Sequence, residues 1–293
     1  MSRNPLRRTI VLLALASFLC TSALAEQKVQ HVLIVSYDGG KPAVIQQSPV
    51  PVLMQVVKEG AHSWEAQTIF PSITLPSHTS MITGVGPEKH QVNWNNWVPE
   101  KGRIATPTAM QYAHKKGMRT ALFAGKDKFM HLDQPESLDD FAIPSNKAKA
   151  IAEAAAANIV EKKPNLIFVH FPDSDSAGHR FGWGSPEQIQ AFADQDVALN
   201  TLLTAIKTAG IADETVLIIS ADHGGHDRTH GSDDPQDMII PWITWGKGVK
   251  QDFTITDAIT TFDTAATALW LLGIDIPSDF DGKPVTSAYV AAK

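Results

Sequence analysis

Four short apolar runs constrain this chain more than any other feature: Val29 to Tyr37, Arg119 to Ala124, Leu166 to Phe171 and Thr215 to Ser220. Each is dominated by Val, Ile, Leu or Phe, the pattern of a strand covered on both faces. Between and after them lie stretches of helical spacing: Pro51 to Lys58 stopping at Gly60, Ala-rich Asn146 to Lys162, Pro186 to Ala209, and a closing segment through Thr264 to Leu272. Strand and helix in alternation predict an α/β fold with a mainly parallel central sheet flanked by helices on both faces. Residues 85–117 are Trp- and Pro-rich and less regular, and read as an excursion over one end of the sheet, with Thr106 to Lys116 a helix within it. The sequence shows no internal repeat, low-complexity linker or second boundary, so residues 26–293 are expected to form one domain.

The first 25 residues read as a signal peptide. Arg3, Arg7 and Arg8 make a basic start, Ile10 to Cys20 an apolar centre too short to span a bilayer comfortably, and Ala23-Leu24-Ala25 a cleavage site. Export to the periplasm or beyond the cell is the expectation, with no membrane contact after cleavage. Cleavage would remove the single cysteine, leaving no disulfide, thiolate nucleophile or Cys-based metal site. It would also make a chain of formal charge −6 more acidic still. That balance argues against a nucleic-acid polymer as partner. A small anionic substrate stays open, because bound cations can reverse the sign locally.

In open α/β sheets ligands bind beyond the carboxyl ends of the strands, and here those ends carry acids and histidines. The first strand runs into Asp38-Gly39-Gly40. The strand Leu166 to Phe171 runs into Asp173-Ser174-Asp175-Ser176-Ala177-Gly178-His179. The strand Thr215 to Ser220 runs into Asp222-His223-Gly224-Gly225-His226 and on to His230. Singly, each has an ordinary explanation as a turn former, helix cap or solvated histidine. Jointly they point to metal: of 11 histidines, His78, His179, His223, His226 and His230 all fall in the loops after strands. Carboxylates and imidazoles converging on one rim suit hard or borderline cations.

A hydroxyl comes from the block Phe70-Pro71-Ser72-Ile73-Thr74-Leu75-Pro76-Ser77-His78-Thr79-Ser80-Met81-Ile82-Thr83-Gly84. Thr74 stands just before a predicted helix, with Pro76 in its first turn. Its oxygen would lie beside unpaired backbone N–H groups that can hold a phosphoryl group. The same placement suits an ordinary N-cap.

Taken in order, Val35-Ser36-Tyr37-Asp38-Gly39, the Phe70–Gly84 block, Asp175-Ser176-Ala177-Gly178-His179, Ala221-Asp222-His223-Gly224 and His230-Gly231 resemble the alkaline phosphatase superfamily. Within it they resemble the type I phosphodiesterase/nucleotide pyrophosphatase family, from Asp38 to about Gly248. The resemblance implies an alkaline phosphatase-like fold and two divalent ions, Zn²⁺ first among candidates, with Mn²⁺ and Fe open. One ion would be held by Asp38, Thr74, Asp222 and His223, the other by Asp175, His179 and His230. The family's nucleophile falls on Thr74. Its phosphate-contacting Asn, after the Gly-x-x-Pro-x-x-His turn, falls on Asn95, with Asn93 and Asn96 close by. Asp173 and His226 receive no ligand role, although Asp173 could hydrogen-bond a ligand.

The implied reaction is double displacement at phosphorus, between two metals about 4 Å apart. The substrate would be a small phosphate ester, a diester or nucleotide pyrophosphate if Trp94, Trp97 and Phe70 line a pocket for the second ester group. Gly125-Lys126-Asp127-Lys128 pulls the other way. A Lys-x-Lys pair over the site resembles phosphonoacetate hydrolase and related monoesterases, making Lys126 and Lys128 candidate substrate-binding residues. A sulfatase would need a Cys or Ser where Thr74 stands. A non-catalytic metal- or phosphate-binding protein is the remaining alternative, disfavoured because no ligand or nucleophile is missing.

Overall fold

The computed structural model describes Met1 and residues 29–290; the expected signal peptide, with Cys20, lies outside the described residues. Eight strands form one sheet: β1 (His31–Tyr37), β2 (Ala61–Gln67), β3 (Thr120–Phe123), β4 (Asp140–Ala142), β5 (Leu166–Phe171), β6 (Thr215–Ser220), β7 (Ile239–Gly246) and β8 (Phe253–Thr254). Their order across the sheet is β4-β3-β5-β1-β6-β7-β2-β8. All run parallel except β7, which opposes both β6 and β2. The alternation read from sequence therefore gives the expected α/β sheet, and among the described residues no helix is long and apolar enough to cross a membrane.

The central strands are mostly apolar because both faces are covered. Val32 and Ile34 of β1, Leu166 and Phe168 of β5, and Val216 and Ile218 of β6 enter one core. The helices Thr74–Thr83, Ala109–Lys115 and Asp263–Leu271 pack on that side through Leu75, Met81, Met110, Ala113, Ala265 and Leu269. Leu33, Val35, Ile167, Val169, Leu217 and Ile219 point the other way. They meet the helices Pro51–Glu59, Ala148–Lys162 and Pro186–Thr208 through Leu53, Val56, Ile151, Phe192 and Leu199. Each Val, Leu, Ile, Phe or Met side chain among them that is fully removed from water contributes roughly 1.5–3 kcal/mol.

Four strands go beyond the sequence reading: β2, β4, β7 and β8. Pro241 lies within β7, and the β2–β7 register shifts between Ser63 and Ala66, opposite that proline, which has no N–H for the ladder. A second difference matters for the site. The segment after β5, expected as a loop, is a helix, Asp173–Phe181.

Candidate active site

β1, β5 and β6 lie side by side at the centre of the sheet, so their carboxyl ends bring three ligand-bearing segments to one place. Two groups of side chains gather there: Asp38, Asp222 and His223, all buried, and Asp175, His179 and His230. The helix after β5 places Asp175 and His179 one turn apart on the same face. The groups adjoin, since the His223 and His230 rings stack at 3.6 Å between centroids.

The hydrogen bonding within these groups is lopsided in a consistent way. Asp222 Oδ1 accepts the N–H groups of Gly39 (3.1 Å) and His223 (3.0 Å). Asp38 Oδ2 takes His170 Nε2–H at 2.7 Å and Lys126 Nζ at 2.5 Å. Asp175 Oδ2 takes Lys126 at 2.6 Å. The second oxygen of each carboxylate is buried with no hydrogen-bond partner among the described residues: Asp222 Oδ2, Asp38 Oδ1 and Asp175 Oδ1. The imidazoles follow suit. Nδ1 of His223, His179 and His230 each lies against a carbonyl, of Gly224 (2.8 Å), Arg228 (3.0 Å) and Ser72 (2.8 Å). A carbonyl only accepts, so each Nδ1 carries the proton and each neutral ring presents a bare Nε2 lone pair.

Those lone pairs converge on the unpaired carboxylate oxygens. His223 Nε2, itself unpartnered, lies 3.2 Å from Asp222 Oδ2 and 3.5 Å from Asp38 Oδ1. His179 Nε2 and His230 Nε2 are 3.1 Å apart, and 3.3 and 3.5 Å from Asp175 Oδ1. Buried acceptors turned toward one another without donors cost free energy unless a cation lies between them. The donor set is oxygen and nitrogen with imidazoles fixed through their far nitrogen, the arrangement that metal-ligating histidines show. Both groups fit a divalent ion.

The proton equilibria express the same crowding. Burial, then repulsion from Asp38, pushes Asp222 well above the usual carboxylate range. Burial also opposes charge on Asp38, yet Lys126, His170 and His223 hold it well below that range. Burial, with His230 beside it, drops His223 to about 3. The Asp175 carboxylate, 3.3 Å from its Nε2, raises His179. Burial disfavours the Lys126 ammonium, but Asp38, Asp175 and Asp222 outweigh it and raise its pKa.

Thr74 is the first residue of its helix and almost wholly buried, with Ile73 as the N-cap. It is therefore not the capping residue. That part is played by Asn95, whose Oδ1 accepts the Leu75 N–H at 2.9 Å and Lys128 Nζ at 2.9 Å. With its oxygen so engaged, the amide nitrogen of Asn95 remains to donate. Ser77 Oγ donates to the Asp222 carbonyl at 2.6 Å, and His230 reaches Ser72, so both ligand groups are tied to the Thr74 segment. His78, pushed well down by burial and so neutral, donates from Nδ1 to the Thr74 carbonyl at 2.8 Å and accepts from Ser36 Oγ at 2.8 Å.

The structure thus brings together Asp38, Thr74, Asn95, Lys126, Lys128, Asp175, His179, Asp222, His223 and His230. Asp173 goes elsewhere: its Oδ2 accepts the Ala148 N–H at 2.7 Å, capping the neighbouring helix. His226 bonds Asp237 Oδ1 at 2.7 Å, while Asp237 Oδ2 takes the N–H and hydroxyl of Ser232, a clasp across the loop bearing His230. Trp94 packs on the core and donates to His131 at 3.1 Å. Trp97 instead lines a cavity of ≈ 500 Å³ with Lys126, Asp127, Lys128 and Asn146. Sequence reasoning missed His170, which braces Asp38; an imidazole inside an otherwise apolar strand was the available signal.

Comparison with known proteins agrees with this geometry. The family model for type I phosphodiesterase / nucleotide pyrophosphatase matches residues 32–115 and 110–240, so the chain belongs to that family. It is 28% identical over 220 residues to human ectonucleotide pyrophosphatase/phosphodiesterase family member 5, covering 67% of this chain and 45% of that protein. It is 24% identical over 221 residues to bis(5'-adenosyl)-triphosphatase enpp4 of Xenopus laevis, covering 66% and 46%. The chain thus spans about half the length of the curated relatives it matches. Among solved structures, an inactive threonine-to-alanine variant of murine ectonucleotide pyrophosphatase / phosphodiesterase 5 in complex with AMP superposes with a TM-score of 0.75 at 16% identity, covering 89% of this chain and 100% of that one. A 2-O GAG sulfatase gives 0.71 at 17%, covering 88% and 73%. These superpositions establish the alkaline phosphatase-like fold.

Proposed function

We propose that this chain is an exported phosphohydrolase whose single catalytic unit, residues 26–293, cleaves phosphodiesters or nucleotide pyrophosphates through a phosphothreonine at Thr74. The observation that carries the reading is the pair of ligand groups, each with unpartnered buried acceptors, bonded to both sides of the Thr74 helix start. Two divalent ions, Zn²⁺ foremost, would supply positive charge against the phosphoryl oxygens and lower the pKa of the attacking hydroxyl.

The chain's own groups supply the rest. Thr74 Oγ attacks phosphorus, the bond to the leaving oxygen breaks, and the hydroxyl proton passes to solvent or to the leaving group. Water then attacks the phosphothreonine, Thr74 Oγ departs and regains a proton, and phosphorus keeps its configuration. Asn95 is positioned to donate its amide N–H to a phosphoryl oxygen at the helix start. His170 and Lys126 hold Asp38, and the backbone N–H groups of Gly39 and His223 hold Asp222, so the ligands meet their ions without rearranging.

A nucleotide substrate is supported by the relatives, one bound to AMP and others named as bis(5'-adenosyl)-triphosphatases. Their names also support an extracytoplasmic setting, in line with the basic, apolar, Ala-x-Ala start of the sequence. One observation favours a second reading, phosphomonoester hydrolysis: Lys128 reaches Asn95 and Lys126 spans Asp38 and Asp175, putting two ammonium groups where a monoester's extra charge would fall. The experiment is Thr74→Ala, with metal content and turnover of aryl phosphate mono- and diesters measured in parallel. The expected result is two bound ions, a wild-type preference for the diester and no turnover in the variant. Retained turnover in Thr74→Ala overturns the mechanism, and a wild-type preference for the monoester passes the substrate class to the second reading.

A further inference from the structure

We infer that Trp183 is a positioning residue for the second metal site, a wedge locking the three ligand-bearing strand ends together with His179 and His230 aligned; this rests on the two-metal reading above. Trp183 follows the Asp173–Phe181 helix and is half-buried. Its indole occupies space that three glycines leave open. A Cβ on Gly225 would lie 2.1 Å from Trp183 Cε2, one on Gly178 2.8 Å from Cδ2, and one on Gly39 3.2 Å from Cζ2. All are inside the usual carbon–carbon separation of about 3.5–4.0 Å. The glycines come from different places: the turn after β1, the helix after β5 and the loop after β6. One ring therefore touches every ligand-bearing segment except that of Thr74.

Polar contacts fix the ring in its slot. Nε1–H donates to the Gly39 carbonyl at 3.2 Å, and the Trp183 backbone N–H donates to the Asp227 carbonyl at 2.8 Å, in the loop leading to His230. The ring meets His179 edge-on at 5.3 Å and 84°, and His230 at 5.9 Å and 61°. His179 needs such support. Its side chain is 46% exposed, and its far nitrogen is held only through the Arg228 carbonyl, next along the chain from the Asp227 carbonyl that the Trp183 N–H holds. The first group keeps supports that the indole does not touch: Asp38 is held by His170 and Lys126, and Asp222 by the His223 N–H in addition to that of Gly39. Loss of the indole should thus release the second site and spare the first.

Co²⁺ titration of the full-length protein tests this, followed by calorimetry and by the visible spectrum of the bound ion. Wild type should take up two ions. In Trp183→Ala the ion at Asp175, His179 and His230 should bind about 10–100-fold more weakly, the loss typical of removing a group that orients a ligand, while the other site is unchanged; Trp183→Phe should recover part of the loss. Gly225→Ala, whose new methyl would overlap the indole, should reproduce the selective loss and add nothing in the Trp183→Ala background. Equal weakening of both ions, or none, in Trp183→Phe and Gly225→Ala overturns the inference. A wild-type protein that binds fewer than two ions overturns the two-metal reading and the inference with it.

Discussion

His170→Leu is a demanding test of how the site is braced. The imidazole is fully buried on β5; its Nε2–H donates to Asp38 Oδ2 at 2.7 Å and its Nδ1 accepts the Gly125 N–H at 3.1 Å. Leucine has similar bulk, so the packing loss is small and the polar loss dominates. A hydrogen bond to a charged group contributes about 1.5–3 kcal/mol, and an orphaned buried N–H costs about 1–3 kcal/mol. The metal-free protein should therefore lose about 3–5 kcal/mol, a large part of the roughly 5–15 kcal/mol available to a folded protein. Asp38 would keep Lys126, but loss of the His170 bond would raise its pKa, and metal affinity should fall about 10–100-fold. Urea unfolding of the metal-free variants, with Zn²⁺ titration alongside, measures both. His170→Gln, able to keep one of the two bonds, should fall between wild type and His170→Leu. A His170→Leu protein within about 0.5 kcal/mol of wild type and with unaltered metal affinity would refute the bracing argument.

Two further outcomes concern groups outside these contacts, the first being buried His90 at the end of the Pro87–His90 helix, whose Nδ1 accepts the Val92 N–H at 3.0 Å. Burial drops His90 from 6.5 to about 4, so the unfolded chain takes up its proton first: stability is full above pH 6.5 and falls between pH 6.5 and 4, by about 3 kcal/mol from this group. The acid limb of a urea-midpoint profile should be flatter in His90→Gln than in wild type, and parallel limbs would contradict the assignment. Lys128→Ala removes an ammonium from Asn95 and should lower kcat/KM for an aryl phosphate monoester about 10-fold more than for the diester; an equal effect on both would mean that Lys128 positions Asn95 rather than substrate.

The sheet's centre was legible because β1, β5 and β6 are buried on both faces and carry little but apolar side chains. Its margin was not. β4 and β8 are too short to carry a pattern, β2 mixes His, Glu and Gln with Ala and Trp as a half-covered strand does, and Pro241 argues against β7 until the bulge that accommodates it is seen. The convergence of the candidate ligands could be read from strand ends alone, whereas the contacts that set the histidine tautomers are backbone carbonyls of Gly224, Arg228 and Ser72, which no side-chain pattern reveals. The helix carrying Asp175 and His179 was hidden by Asp, Ser and Gly, poor helix formers. Gly178 there reflects the indole beside it, not the helix. Thr74 looked like a cap because threonine is a favoured one, and only the fold shows Asn95 in that part.

The neighbours that build the rim are far apart along the chain. Asp222 reaches Gly39 across 183 residues, and His170 reaches Asp38 across 132. Loops of that length close late, after β1 has found both β5 and β6. A partly folded chain then holds no preformed cage for a cation, and on the proposed two-metal reading ions would bind the finished fold alone. Metal in excess should consequently stabilise by mass action, slowing unfolding while leaving the rate of folding almost untouched. On that reading the ion would act as a latch set at the end of folding and not as a seed for it.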